Sequence, residues 1–296
     1  KIMSTYEEML DDRTLETFGE EEVKTVLSGD IDGIKRLADN GYNFQAVSET
    51  GYTLAHMAAG TGNAEAIHEV GKQGGDFTVV DEMGISPSHE AARTGNAEAI
   101  HAVAINGGDF RAVSEHGVTT AHFVSETGNV EAIQAVYEHG GDFNKAAKSG
   151  ITPAHAAAFS GNAAAINEVA EKGGDVASVA DENGLTPAHA AAHSGNVAAI
   201  QEVRKLGGDY TAQLKNGKTP ADIAARRGND EATVAVLEIQ KAQLHEQAND
   251  LMERGCSPGE PSNAKRNNEL QNLRGQIRET EKALLEYEKK TPEREE

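Results

Sequence analysis

Tryptophan is absent from the sequence, and aromatic residues make up only 4% of it. A single core built on large rings is therefore excluded, and apolar burial has to be spread along the chain. One cysteine, Cys256, excludes an internal disulfide and a multi-thiolate metal site, which fits a reducing compartment such as a cytosol. Basic residues are scarce too, 27 against 48 acidic ones, for a formal charge of −21. That excess opposes attachment to nucleic acid or to anionic lipid, whose phosphates need a basic face, and favours a partner with a basic surface. No segment reads as a membrane span or a secretory leader, so a cytoplasmic chain is expected. No glycine-rich loop precedes a Lys-Ser or Lys-Thr pair, which leaves no phosphate cradle.

What the sequence has in plenty is repetition. Gly-Tyr-Thr-Leu-Ala-His-Met-Ala-Ala, starting at Gly51, returns in altered form at Gly84, Gly117, Gly150, Gly184 and Gly217. The period is 33 residues except for one step of 34, whose extra residue falls between Val176 and Asn183. Each copy continues with Gly-Asn, as at Gly62-Asn63, then an apolar set such as Ala66, Ile67 and Val70, then Gly-Gly-Asp. Apolar spacings of three and four indicate helix, and glycines after each run are stop signals, because glycine adopts the left-handed conformation of a helix C-cap. The unit is thus a helix, a turn, a second helix and a loop.

The same frame is visible upstream in Val26, Leu27, Ile31 and Ile34, so the stack starts near residue 20. Downstream, Asp222 replaces the recurrent histidine and Thr233 replaces the isoleucine, as expected of a terminal unit with one face toward water.

A 33-residue period with a Thr-Pro-x-His-x-Ala box, plain at Thr152-Pro153, Thr186-Pro187 and Thr219-Pro220, resembles the ankyrin repeat family. The likeness covers residues 20–240 and implies an all-α solenoid of about seven helix-turn-helix units with loop fingers. It also implies a non-enzymatic scaffold that binds a protein on its concave face, without a cofactor. The box histidines His56, His89, His122, His155 and His189 would then be hydrogen-bonders that tie the turns of adjacent units together. A metal reading of that row fails on distance. Packed helices lie about 8–10 Å apart, whereas two histidines on one zinc ion each reach it at about 2 Å. The remaining histidines, such as His68 and His101, are expected on a solvated helix face. Neither a catalytic nor a metal-binding residue is assigned.

In such proteins the loop tips and first helices form the recognition surface, and positions that differ between copies are those the repeat does not dictate. Just after the box histidine the copies carry Met57, Glu90, Phe123, Ala156, Ala190 and Ile223. Three residues further on they carry Gly60, Arg93, Glu126, Phe159, His193 and Arg226, and the loop tips vary as Met83 and His116 do. The expected partner-binding residues are therefore Phe159, Phe123, Arg93, Glu126, Glu90, His193, Arg226, His116 and Met83. Phe123 and Phe159 come from adjacent units and are the expected aromatic anchors.

Residues 1–19 form an acidic N-terminal segment, and residues 241–296 a helical tail. The first tail helix is expected to run to about Arg254 before Gly255, Pro258, Gly259 and Pro261 break it. The second carries Leu270, Leu273, Ile277, Thr280, Leu284 and Tyr287 in heptad register. An antiparallel hairpin is expected, and a homodimeric coiled coil is the alternative; a monomer is favoured because Gly275 and Thr280 weaken a self-pairing seam. Glu286, Glu288, Glu293, Glu295 and Glu296 resemble the acidic C-terminal signals of bacterial proteins delivered into host cells by a type IV secretion system, with a solvated charged tail as the plain alternative. The functional expectation is thus a protein-binding scaffold, extended by that resemblance to an effector acting in a host cytosol. The competing readings are the targeting module of a larger enzyme and a dimerising structural adaptor.

Overall fold

The computed structural model describes residues 16–177, 181–253 and 262–290. The acidic segment before residue 16, part of the stretch holding the extra residue, the break around Cys256 and the last glutamates lie outside them. Contacts divide the chain into two compact units, residues 1–160 with 164–174, and residues 161–163 with 175–296.

The first unit holds helices α1 (Glu20–Leu27), α2 (Ile31–Asp39), α3 (Leu54–Thr61), α4 (Ala64–Lys72), α5 (Pro87–Thr94), α6 (Ala97–Ile105), α7 (Thr120–Thr127), α8 (Val130–Glu138), α9 (Pro153–Ser160) and most of α10 (Ala163–Glu171). Odd-numbered helices pack on one another in chain order, and α2, α4, α6 and α8 form a second layer behind them.

Local chemistry sets each helix boundary. At the start of α3 the Thr53 hydroxyl accepts from His56 N–H while the His56 ring accepts from Thr53 N–H, which satisfies two otherwise orphaned donors reciprocally. Ser86 with His89 and Thr119 with His122 place the same backbone-to-ring bond at 3.1 Å. α3, α5 and α7 each then stop at a left-handed glycine. Gly95 has φ 66°, and a Cβ there would stand 3.0 Å from the Thr127 side chain, so both conformation and space demand glycine. Asn63, Asn96 and Asn129 follow at once and cap the second helices with their side-chain oxygens.

The core is a ladder of small aliphatic residues with one large side chain per repeat. Ile67, Ile100, Ile133 and Ile166 are fully buried, and so are Phe77, Phe110 and Phe143, with Phe44 close behind. Burying a phenylalanine is worth about 1.5–3 kcal/mol, so these rings supply much of what the Ala-rich interfaces do not. Their position, just after Gly-Gly-Asp, was not among those read from the sequence.

The second unit contains α11 (Pro187–Ser194), α12 (Val197–Lys205), α13 (Pro220–Arg226), α14 (Asp230–Glu253) and α15 (Ser262–Lys290). Tyr210 fills the phenylalanine position there, with its hydroxyl donating to the Ile200 carbonyl at 2.8 Å. Burial pushes that phenol far above its ordinary pKa. The Tyr210 N–H and the Gly208 carbonyl are both met at 2.8 Å by the carboxamide of buried Gln243 on α14. Asp222 still closes the capping box, accepting from Thr219 N–H at 2.8 Å while its own N–H donates to the Thr219 hydroxyl, but it has no second ring nitrogen with which to reach onward.

α14 is one uninterrupted helix, so the last repeat and the tail share it across residue 240. α15 packs back on it as an antiparallel hairpin, with Leu244, Ala248 and Ile277 buried together beside Leu270 and Leu273, and Lys241 bridging to Glu281 at 3.7 Å. Seven helix pairs and this hairpin are present among the described residues.

Candidate functional site: the first-helix face and loop tips

The box histidines are fixed as structural groups. His56 accepts at Nδ1 from Thr53 N–H, which leaves its proton on Nε2, and that nitrogen donates to the Ile85 carbonyl of the following repeat at 3.1 Å. His122 reaches the Ile151 carbonyl at 3.0 Å and His189 the Lys218 carbonyl at 3.3 Å in the same way. Both nitrogens are thus occupied, and the rings are neutral. Burial lowers the pKa of His56 and His89 to about 4 and pulls His122 down as well. His89 makes this link more loosely: the Val118 backbone of the following repeat still raises its pKa, but its Nε2 stays outside full hydrogen-bond geometry, and its ring takes the edge of Phe123 at a centroid distance of 5.8 Å.

Four residues after the histidine, one turn along the same face, the row opens to solvent. Arg93, Glu126 and Phe159 are exposed in the first unit, and His193 and Arg226 in the second. Phe159 is 37% exposed, unusual for so large a ring in a chain with few of them.

The position directly after the histidine is less open. Glu90 is buried at 4% exposure and held by Arg93 at 3.4 Å, so it does not offer a contact surface. Phe123 is only half exposed, lying between the His89 edge and the Arg93 guanidinium, whose carbon stands 5.1 Å from the ring centre. The cause is steric: first helices pack on one another through this position, where Met57 is fully buried. Glu90, Arg93 and Phe123 therefore form one connected cluster rather than three independent contacts.

The loop tips are held by backbone bonds between successive loops. Glu82 N–H donates to Thr50 O at 2.8 Å, Glu115 N–H to Met83 O at 2.8 Å, and Lys148 N–H to His116 O at 2.9 Å. This string leaves the Met83 and His116 side chains outside, Met83 at 48% exposure.

His101 departs from the expected solvated face. Its Nδ1 lies 2.9 Å from Nε2 of His139, a residue that its sequence context does not single out. In the second unit a polar cleft of about 420 Å³ is lined by Thr211, Asp222, Gln240, Gln276 and Thr280, and the buried Gln240 Oε1 has no hydrogen-bond partner.

Helix pairs stacked by capping boxes and tied by a histidine to the next turn define a helical-repeat protein. Residues 88–179 match the family model described as ankyrin repeats, in three copies. The crystal structure of the human ASB11 ankyrin repeat domain is similar at a TM-score of 0.64 and 20% identity, covering 73% of this chain and 96% of that one. No curated protein matches the sequence. Residues 88–179 thus carry ankyrin repeats, units that are in general protein–protein interaction modules and typically not catalytic. No helix among the described residues is long and apolar enough to cross a membrane.

Proposed function

We propose that this chain is a protein-interaction scaffold whose partner lies on the exposed row of the first helices and the loop tips beside it. The observation that carries this reading is the contrast within single helices. His89 and Glu90 of α5 are buried, while Arg93, one turn on, is exposed and already positioned by Glu90 and Phe123. Arginine pre-ordered in this way loses little side-chain entropy on binding, and with aromatic rings it is among the residues that dominate interface energetics. Glu126, Phe159, Met83 and His116 surround that anchor in sequence and supply mixed charge and apolar area. The net charge of −21 supports a partner whose own contact surface is basic.

Phe159→Ala combined with Met83→Ala tests the reading on any protein captured by the wild-type chain. The expected loss is about 2 kcal/mol or more in affinity, near thirtyfold, with an unchanged melting curve. Equal affinity for the double variant would move the site elsewhere, with the cleft of the second unit next in line. Arg93→Ala is a poorer probe, because it removes a guanidinium that pairs with the buried Glu90 carboxylate and so mixes folding with binding. The delivery reading rests on the glutamate-rich C-terminus, of which Glu286 is exposed. A translocation reporter fused upstream of the chain tests it, and transfer that survives removal of residues 286–296 would set it aside.

A further inference from the structure

On the second helices, remote from the proposed partner face, the repeat brings one residue against the C-cap of the next repeat. His68 of α4 meets Asn106 at 3.3 Å, an imidazole against a carboxamide. One period later the same pair of positions holds His101 and His139, whose Nδ1 and Nε2 face each other at 2.9 Å. Their ring centroids are 5.1 Å apart and the planes nearly perpendicular, at 76°. The Phe110 ring lies 5.5 Å from the His139 ring and restrains it. Both histidines are half-buried and so open to a small ion from solvent.

We propose that His101 Nδ1 and His139 Nε2 form a two-point site for a divalent transition-metal ion that prefers tetragonal coordination, Cu2+ or Ni2+. Two imidazole nitrogens at about 2.0–2.1 Å from one metal stand about 2.9 Å apart when they subtend 90°, and about 3.3 Å apart at the tetrahedral angle. The 2.9 Å between the rings is the length of a hydrogen bond and lies close to the first case, and the general affinity order of divalent ions for imidazole favours Cu2+ over zinc. Binding requires each ring to turn so that its lone pair leaves the other nitrogen and faces the ion, which replaces the hydrogen bond between the rings by two metal bonds. Whichever ring carries the shared proton moves it to its other nitrogen, so binding releases no net proton. Among the described residues no third imidazole, carboxylate or thiolate completes a cluster, so water fills the remaining positions.

The neighbouring repeats supply the controls. Asn106 is the counterpart of His139 and Gln134 the counterpart of His101, so H139N and H101Q each install a residue that this framework already accommodates at that position. The experiment is titration of the tag-free full chain with Ni2+ by calorimetry and with Cu2+ by electron paramagnetic resonance. Wild type is expected to take up one ion of either kind with two nitrogen ligands in the copper spectrum, and to bind Zn2+ more weakly. H139N and H101Q should each lower the affinity at least tenfold, since even residues behind the ligands cost about 10–100-fold, while melting as wild type does without metal. A wild type that takes up no ion, or variants that bind as tightly as wild type, would overturn the site. Uptake that persists in both variants would assign the metal to the exposed histidines instead.

Discussion

Two rows of side chains one turn apart on the same helices do opposite work. The histidine row of α3, α5 and α7 is buried, neutral and bonded at Nδ1 to its own cap, and in His56 and His122 at Nε2 to the next repeat. The row that begins at Arg93 and continues through Glu126 and Phe159 is exposed and varies between copies. The lesson is that recurrence in this fold marks groups whose partners lie inside the stack, and freedom to vary begins where the helix clears its neighbour.

The strongest way to break that division is through the core behind the histidines. Phe110→Ala should cost about 3–5 kcal/mol in urea denaturation, because the site is fully enclosed and cannot collapse around the loss. A cost under about 1 kcal/mol would mean that the aromatic ladder is not what supports the row. Next in size is His56→Ala, which leaves Thr53 N–H and the Ile85 carbonyl without their partner at once. We expect about 1–3 kcal/mol, measured by the same titration.

Acidity acts on the same row without a mutation. The buried rings have a folded pKa near 4 for His56 and His89, below the ordinary value of 6.5. The unfolded chain therefore binds more protons between those values, and stability is complete above pH 6.5 and falls as pH drops toward 4. From pH 7 to 5 each such ring should remove on the order of 1–2 kcal/mol, seen as a falling melting temperature. Relief of the −21 charge opposes this trend, so a His56→Gln variant that loses part of the pH dependence isolates the ring from the background. The smallest effect belongs to the exposed row, where Phe159→Ala should change stability by about 0.5 kcal/mol or less.

The repeat, its helix pairs, the glycine stops and the hairpin were legible in the sequence because each rests on local chemistry at fixed spacing. Asp222 in place of histidine also signalled the end of the stack, and the structure shows why: an aspartate closes the box but cannot span to another turn. Three things were missed. The phenylalanine ladder recurs at Phe44, Phe77, Phe110 and Phe143, a signal at the same period that a low aromatic content obscured. Variation at Glu90 reads as a surface position, yet it reflects how a packed gap between first helices is filled, by Met57 in one copy and by an arginine-bound carboxylate in the next. The His101–His139 pair joins positions 38 apart in sequence, and only the stacking of one repeat on the next brings them together.

The central claim is that recognition belongs to the exposed first-helix row and the loop tips. Site-specific photo-crosslinking in cells tests it whatever the identity of the partner. Benzoylphenylalanine placed at Phe159 or Met83 should trap one discrete protein adduct, and the same group at exposed Gln134 on α8 should trap none. The reverse pattern, an adduct from Gln134 and silence from Phe159 and Met83, would contradict the account.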